Sequence, residues 1–155
     1  MWWRGSFFFS GNFPGEGGQN EEKVHGDRSG PCAAAHRLRQ GNPLPEGMAE
    51  DEVIRSGTQI MLQVVRGEYD AAHALLREDQ RQATTPQAFQ ELALRELDGA
   101  GVYRQVSDAM ASGQSAGGEE LGVALLYCDF AEKDVLFRVA FDREMNFVGI
   151  SIHQR

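Results

Sequence analysis

The spacing of apolar residues in Leu121–His153 constrains this chain more than any other feature. Apolar residues fall at alternate positions in three short runs, LGVALLYCDF, DVLFRVAF and FVGISIH, separated by two polar breaks. Successive strand residues point to opposite sides, so the pattern predicts a three-stranded antiparallel meander with one continuous apolar side. Folding the first hairpin about Glu132-Lys133 sets Phe130 opposite Val135, Cys128 opposite Phe137, Leu126 opposite Val139 and Ala124 opposite Phe141. Folding the second about Glu144-Met145 sets Phe141 opposite Val148, Val139 opposite Ile150 and Phe137 opposite Ile152. Both registers bury the same side of the middle strand, an agreement that a slip of one residue destroys.

The other side of the same ribbon is mixed. Leu125, Tyr127, Leu136 and Phe147 alternate there with Asp129, Arg138, Asp142 and His153. A contiguous apolar cluster more often marks a contact surface than an ordinary solvated face. These four apolar residues are therefore the expected face of a homodimer, and Arg138 is placed to pair diagonally with Asp129.

Composition narrows the partners. The formal charge of −8 is carried wholly by residues 48–155, because residues 1–47 balance five basic against five acidic side chains. An acidic domain is repelled by phosphate backbones and anionic lipid surfaces, which argues against nucleic acid and membrane as partners. No run approaches the length of a membrane span, and the opening MWWRGSFFFSGNFPG has no apolar core of a secretion signal. The chain reads as cytoplasmic. Cys32 and Cys128 are the only cysteines, so neither a disulfide framework nor a metal site is implied. Phosphate loops and HExxH or GxSxG motifs are missing too, and no cofactor is expected.

Residues 1–47 hold nine of the eighteen glycines and four of the five prolines, with no helical or strand period. That composition predicts a disordered, low-complexity tail, whose Trp2, Trp3, Phe7, Phe8, Phe9 and Phe13 would alternatively anchor a partner. Met48 stands where the composition changes, directly before the acidic start of a helix. Translation is accordingly expected to begin at Met48, with a single domain over 48–155.

Within it, Val53, Ile54, Ile60, Met61, Val64 and Val65 share a helical stripe with Gly57, from Ala49 to Arg66. Glycine there costs about 1 kcal/mol against alanine, and suggests the close approach of another backbone. A shorter helix is expected over Tyr69–Glu78, with Tyr69, Ala72, Leu75 and Leu76 inward. Thr84-Thr85-Pro86 reads as an N-cap followed by proline in the first turn. The third helix then carries Phe89, Leu92, Ala93 and Leu97 and closes on Asp98-Gly99-Ala100-Gly101. Val102–Met110 reads as a weak further strand, and Ala111–Gly118 as a flexible loop. Helices followed by an antiparallel sheet define an α+β fold.

A helix ending in RGEYDAA, a short helix, a TTPQAF start to a third and a closing FRVAFDREMNFVGISI resemble the nuclear-transport-factor-2-like, or cystatin-like, superfamily. One of its uncharacterised bacterial branches is the nearer likeness, over about residues 49–153. The resemblance implies three N-terminal helices on a curved antiparallel sheet of about four strands, wrapped into a cone, often with an apolar pocket and often paired through the sheet. Where that branch often has glycine in its last hairpin, this chain has Met145-Asn146, and Asn146 is expected to supply the left-handed residue. Members range from isomerases and dehydratases to delivery proteins and accessory domains, so the fold does not choose the function.

The pocket so implied would be lined by Tyr69, Phe89, Cys128, Phe137, Val139 and Ile150 and would take a small apolar ligand. The inward strand face from Ala124 to Ile152 offers no carboxylate, histidine or tyrosine as general acid or base. This favours a non-catalytic binding or dimerisation module. The alternative is a small isomerase- or dehydratase-type enzyme using His73 with Asp70 and Tyr69 at the pocket mouth. Cys128, buried in mid-strand, reads as a small hydrophobe with inert sulfur.

Overall fold

A computed structural model describes residues 41–155. Four helices, α1 (Glu50–Val65), α2 (Tyr69–Ala74), α3 (Glu78–Ala83) and α4 (Pro86–Glu96), precede four strands. The strands are β1 (Tyr103–Ala116), β2 (Glu119–Phe130), β3 (Asp134–Phe141) and β4 (Phe147–Gln154), antiparallel and in sequence order across the sheet. Of the tail expected over 1–47, residues 1–40 lie outside this range, whereas 41–47 lie inside it and Asn42 is hydrogen-bonded to β1.

The stripe on α1 is buried at Val53, Gly57, Ile60, Met61 and Val64, with Glu50, Asp51 and Glu52 at the positive end of the helix dipole. Its last turn closes as a Schellman motif: Gly67, at φ 78°, donates to the Val64 carbonyl and Glu68 to that of Gln63. Gly57 does mark a close approach. A Cβ there would lie 2.5 Å from the Cβ of Ala124 on β2, so the helix rests directly on the sheet.

The expected second helix is divided. Leu75 and Leu76 are adjacent and cannot both face inward: Leu76 is buried and bridges to Phe147, whereas Leu75 is 51% exposed. The Arg77 N–H donates to the Phe147 carbonyl (2.7 Å), which takes the chain out of α2 and starts α3. At α4 the Thr85 hydroxyl accepts from the Ala88 N–H (3.1 Å), with Pro86 in the first turn.

The cone shape is corrected. The sheet is an open meander with β1 and β4 at its edges, neither closed nor strongly curled. Helix α1 covers β1, β2 and β3, while α4 packs against β4, all on one side.

Each hairpin also departs from expectation in an instructive way. β1 runs on to Ala116, so Ala111–Gly118 is mostly strand rather than loop; Gly117 and Gly118, both at positive φ, make the turn. In β2–β3 the observed partners are Leu126 with Phe137, Cys128 with Val135 and Ala124 with Val139, two residues away from the expected register. The turn is Ala131-Glu132, closed by the Phe130 N–H to the Lys133 carbonyl. An even shift leaves every side chain on its expected face.

In β3–β4, Val139 opposes Ile150 and Phe137 opposes Ile152, as the alternation implies. A bulge then sets Phe141 opposite Phe147. Phe147 therefore enters the helix-side core at 2% exposure and Val148 takes its place on the other face. The left-handed residue of that turn is Met145 (φ 63°), not Asn146. Asn146 is held instead by its own amides, whose N–H and Nδ2 donate to the Asp142 carboxylate (2.8 and 3.0 Å).

Candidate functional site

The two faces of the sheet form separate apolar clusters. Toward the helices, Phe137, Val139 and Ile150 share a buried cluster with Val53, Met61, Val64 and Phe89. Phe130 stacks on Phe137 (centroids 6.3 Å apart) and meets Tyr103 edge-on (5.6 Å). On the reverse side, Leu121, Val123 and Ala140 form a second cluster, with Ala116, Leu125 and Val148 packed around it. Among the described residues that second cluster consists of strand and strand-end side chains alone.

The expected ligand residues lie within the first cluster. Phe89, Cys128, Phe137, Val139 and Ile150 are all buried there, and Tyr69 packs at its margin. Burial pushes the Cys128 thiol up to about 12, with the neighbouring Asp129 carboxylate adding to the effect. A thiol so displaced from its ordinary value is a poor nucleophile at neutral pH.

The three residues of the enzymatic alternative are separated by their surroundings. His73 is buried on α2, and its Nε2–H donates to the Thr84 carbonyl, tying α2 to the start of α4. Asp70 is exposed in the first turn of α2, and Tyr69 is half-buried beside it. His73 thus joins two helices, a role visible in the sequence only as a histidine on an apolar stripe.

On the reverse face, Leu125 and Tyr127 are half-buried and Leu136 is buried; Phe147, expected there, is not. The Arg155 guanidinium lies 5.3 Å from the Tyr127 ring centroid, a cation–π contact at the rim. Asp129 takes a hydrogen bond from Gln105 Nε2 (2.9 Å), across β1–β2, where Arg138 was expected. That bond, before others, holds its carboxyl below the usual range.

Two features escaped sequence reasoning. Arg77, in the α2–α3 break, reaches three carboxylates: Asp79 (2.8 Å), Glu119 (2.6 Å) and the buried Asp142 (3.2 Å). Asp142 also accepts from the Glu144 and Asn146 N–H groups, so this network closes the β3–β4 turn. The run Asp-x-x-x-Asn between two apolar strands was the available signal; nothing local marks Arg77 as its partner. The second feature is a cleft of ≈530 Å³ between α1 and that turn, with Gln59, Gln63, Arg66, Leu75, Met145 and Asn146 on its walls.

Among the described residues, no group of three or more His, Cys, Asp or Glu side chains is placed to hold a metal ion. None of the described helices is long and apolar enough to cross a membrane. No protein-family model and no curated protein matches the chain. Its fold is similar to that of a protein from Ruminococcus gnavus ATCC 29149 solved by NMR, with a TM-score of 0.60 over 70% of this chain and 95% of that one. At 19% identity the likeness is one of fold alone. Both are small α+β domains with helices packed against an antiparallel sheet.

Proposed function

We propose that this domain is a non-catalytic pairing module, in which two copies meet through the sheet faces turned away from the helices. The observation that carries the reading is the second apolar cluster, whose centre of Leu121, Val123 and Ala140 is buried and whose half-buried rim is Leu125 and Val148, on the side of the sheet away from the described helices. An isologous pair needs one self-complementary patch, and a flat antiparallel sheet face supplies it. Tyr127 and Leu136 extend the patch, and Tyr127 adds an aromatic ring of the kind enriched at interface centres. Val148 replaces Phe147 in the set. The general resemblance to proteins that pair through their sheets supports the same geometry.

Burial supports a packing role for Phe89, Cys128, Phe137, Val139 and Ile150 rather than a catalytic one. The bond between His73 and the Thr84 carbonyl supports a structural role for that histidine. A stable pair requires about 800 Å² of surface from each copy.

Multi-angle light scattering on the full chain tests the reading. The expected result is a dimer at micromolar concentration that becomes monomeric in Tyr127→Glu, because two like charges then face each other in a dry contact. A strict monomer at high micromolar concentration overturns it.

A further inference from the structure

The stretch before α1 is fitted closely to the sheet. The Asn42 N–H donates to Ser112 Oγ (3.0 Å), and the Asn42 carbonyl accepts from the Gly113 N–H (2.9 Å). Pro43 then crosses Gly113 so tightly that a Cβ there would lie 1.9 Å from the Pro43 carbonyl oxygen. Met48 lies over Gly122, where a Cβ would meet its Cε at 2.5 Å, with Leu44 Cδ2 at 3.4 Å. Gly113 and Gly122 are cross-strand partners, so together they form one slot across β1 and β2 on the helix side. At Gly113 the obstacle is backbone and only glycine leaves room, whereas at Gly122 it is the flexible end of Met48.

The occupant has matching chemistry. Pro43 and Pro45 restrict φ and carry no N–H, so the segment has fewer conformations to lose and two fewer donors to satisfy over the glycine floor. Leu44 and Met48 anchor it against the core. Gly47 is left-handed (φ 88°) with open space around it. A cleft of ≈490 Å³ lies between the strap and Gln114, Ser115 and Arg143. Gly47 sits in a turn closed by the Met48 N–H on the Pro45 carbonyl (3.2 Å), so opening that one bond would free residues 42–46 to swing while Met48 stays with α1.

We propose that the slot at Gly113 is a recognition site for an extended, proline-flanked segment, and that two copies of this chain exchange residues 42–46 through it. A second copy carries the one segment already seen to fit, and Gly47 supplies the hinge that strand and arm exchange requires. Tethering gives the molecule's own strap a millimolar effective concentration, so exchange sets in as the protein is concentrated. The slot lies on the opposite side of the sheet from Tyr127, and the proposal does not rest on pairing through the reverse face.

Native mass spectrometry of full-length variants tests it, all in a Tyr127→Glu background so that face-to-face pairs do not contribute. A chain with Pro43→Ser, Leu44→Ser and Pro45→Ser keeps an open slot but has no competent strap. A chain with Gly113→Val keeps the strap but has a blocked slot. The expected result is a heterodimer on mixing that neither chain forms alone. Its absence from two folded chains at high micromolar concentration overturns the proposal. Should Gly113→Val not fold, a labelled peptide of residues 41–48 is added at millimolar concentration to the full-length triple-serine chain, whose slot is open. Binding that weakens about tenfold when both prolines become glycine, as loss of preorganisation dictates, supports the site. No binding, or binding indifferent to the prolines, overturns it.

Discussion

The two sides of this sheet are made from the same strands, yet they differ in what specifies them. Toward the helices, phenylalanines and branched side chains interlock with α1 and α4 in a single cluster. On the reverse, small and medium side chains gather around Leu121, Val123 and Ala140, with none of the described helices above them. The first side holds the monomer together. The second buries its centre as well, with Leu121, Val123 and Ala140 at 3–4% exposure, and the bulge at Phe141 moves a large side chain from one cluster to the other.

The strongest way to break this contrast is to hollow the helix side. Phe137→Ala removes a fully buried ring stacked on Phe130, and is expected to cost about 3–5 kcal/mol. That is a large share of the roughly 5–15 kcal/mol available to a domain of this kind. Urea denaturation of the purified variant measures it, and a loss below about 1 kcal/mol contradicts the division of faces.

Much of this division was legible in the sequence because alternation is a parity property. The β2–β3 register was misjudged by two residues, yet Phe137, Val139 and Leu126 still fell on the correct side. Where parity itself changes, the local signal was only Asp142-x-x-x-Asn146, which marks a turn but not a bulge. The bulge beside Phe141 depends on Asp142 holding the turn through Asn146 and Arg77, a contact between residues 65 positions apart. The far half of β1 was missed for a different reason. Ala-Ser-Gly-Gln-Ser-Ala has low strand propensity, and its place in the sheet comes from β2 and from the strap over Gly113. As for a site, an apolar face is visible in residue types, whereas a slot defined by missing side chains becomes visible only when the neighbours that fill it are known.

A smaller effect, opposite in sign to what propensity alone gives, comes from Gly57. Replacing a mid-helix glycine with alanine ordinarily stabilises by about 1 kcal/mol. Here the new methyl would sit 2.5 Å from the Cβ of Ala124, and α1 would have to lift from the sheet. Overpacking of this kind costs about 1–3 kcal/mol, so Gly57→Ala is expected to destabilise on balance. Thermal unfolding decides the sign, and a gain in stability would mean that the helix rests less tightly on β2 than the contact implies.

The finest comparison between the faces is between neighbours in sequence. Cys128 points to the helices and Asp129 to the reverse side; burial pushes the thiol up to about 12, while the Gln105 hydrogen bond holds the carboxyl down. The consequences for stability have opposite pH limbs. For Cys128 the unfolded chain loses its proton near the ordinary thiol value of 9.0 and the folded chain only near 12. Its contribution is therefore complete below the ordinary value and declines as pH rises between the two. Asp129 contributes above the ordinary carboxylate range, and that contribution is lost as pH falls through its lowered value. Cys128→Ala is expected to flatten the alkaline decline while leaving the acid limb unchanged. Denaturation midpoints at pH 8 and 10.5, taken as the difference between the two proteins, cancel the other titrating groups. An equal alkaline slope in both proteins would show that the thiol is reached by solvent, and that this strand is not sealed beneath the helices.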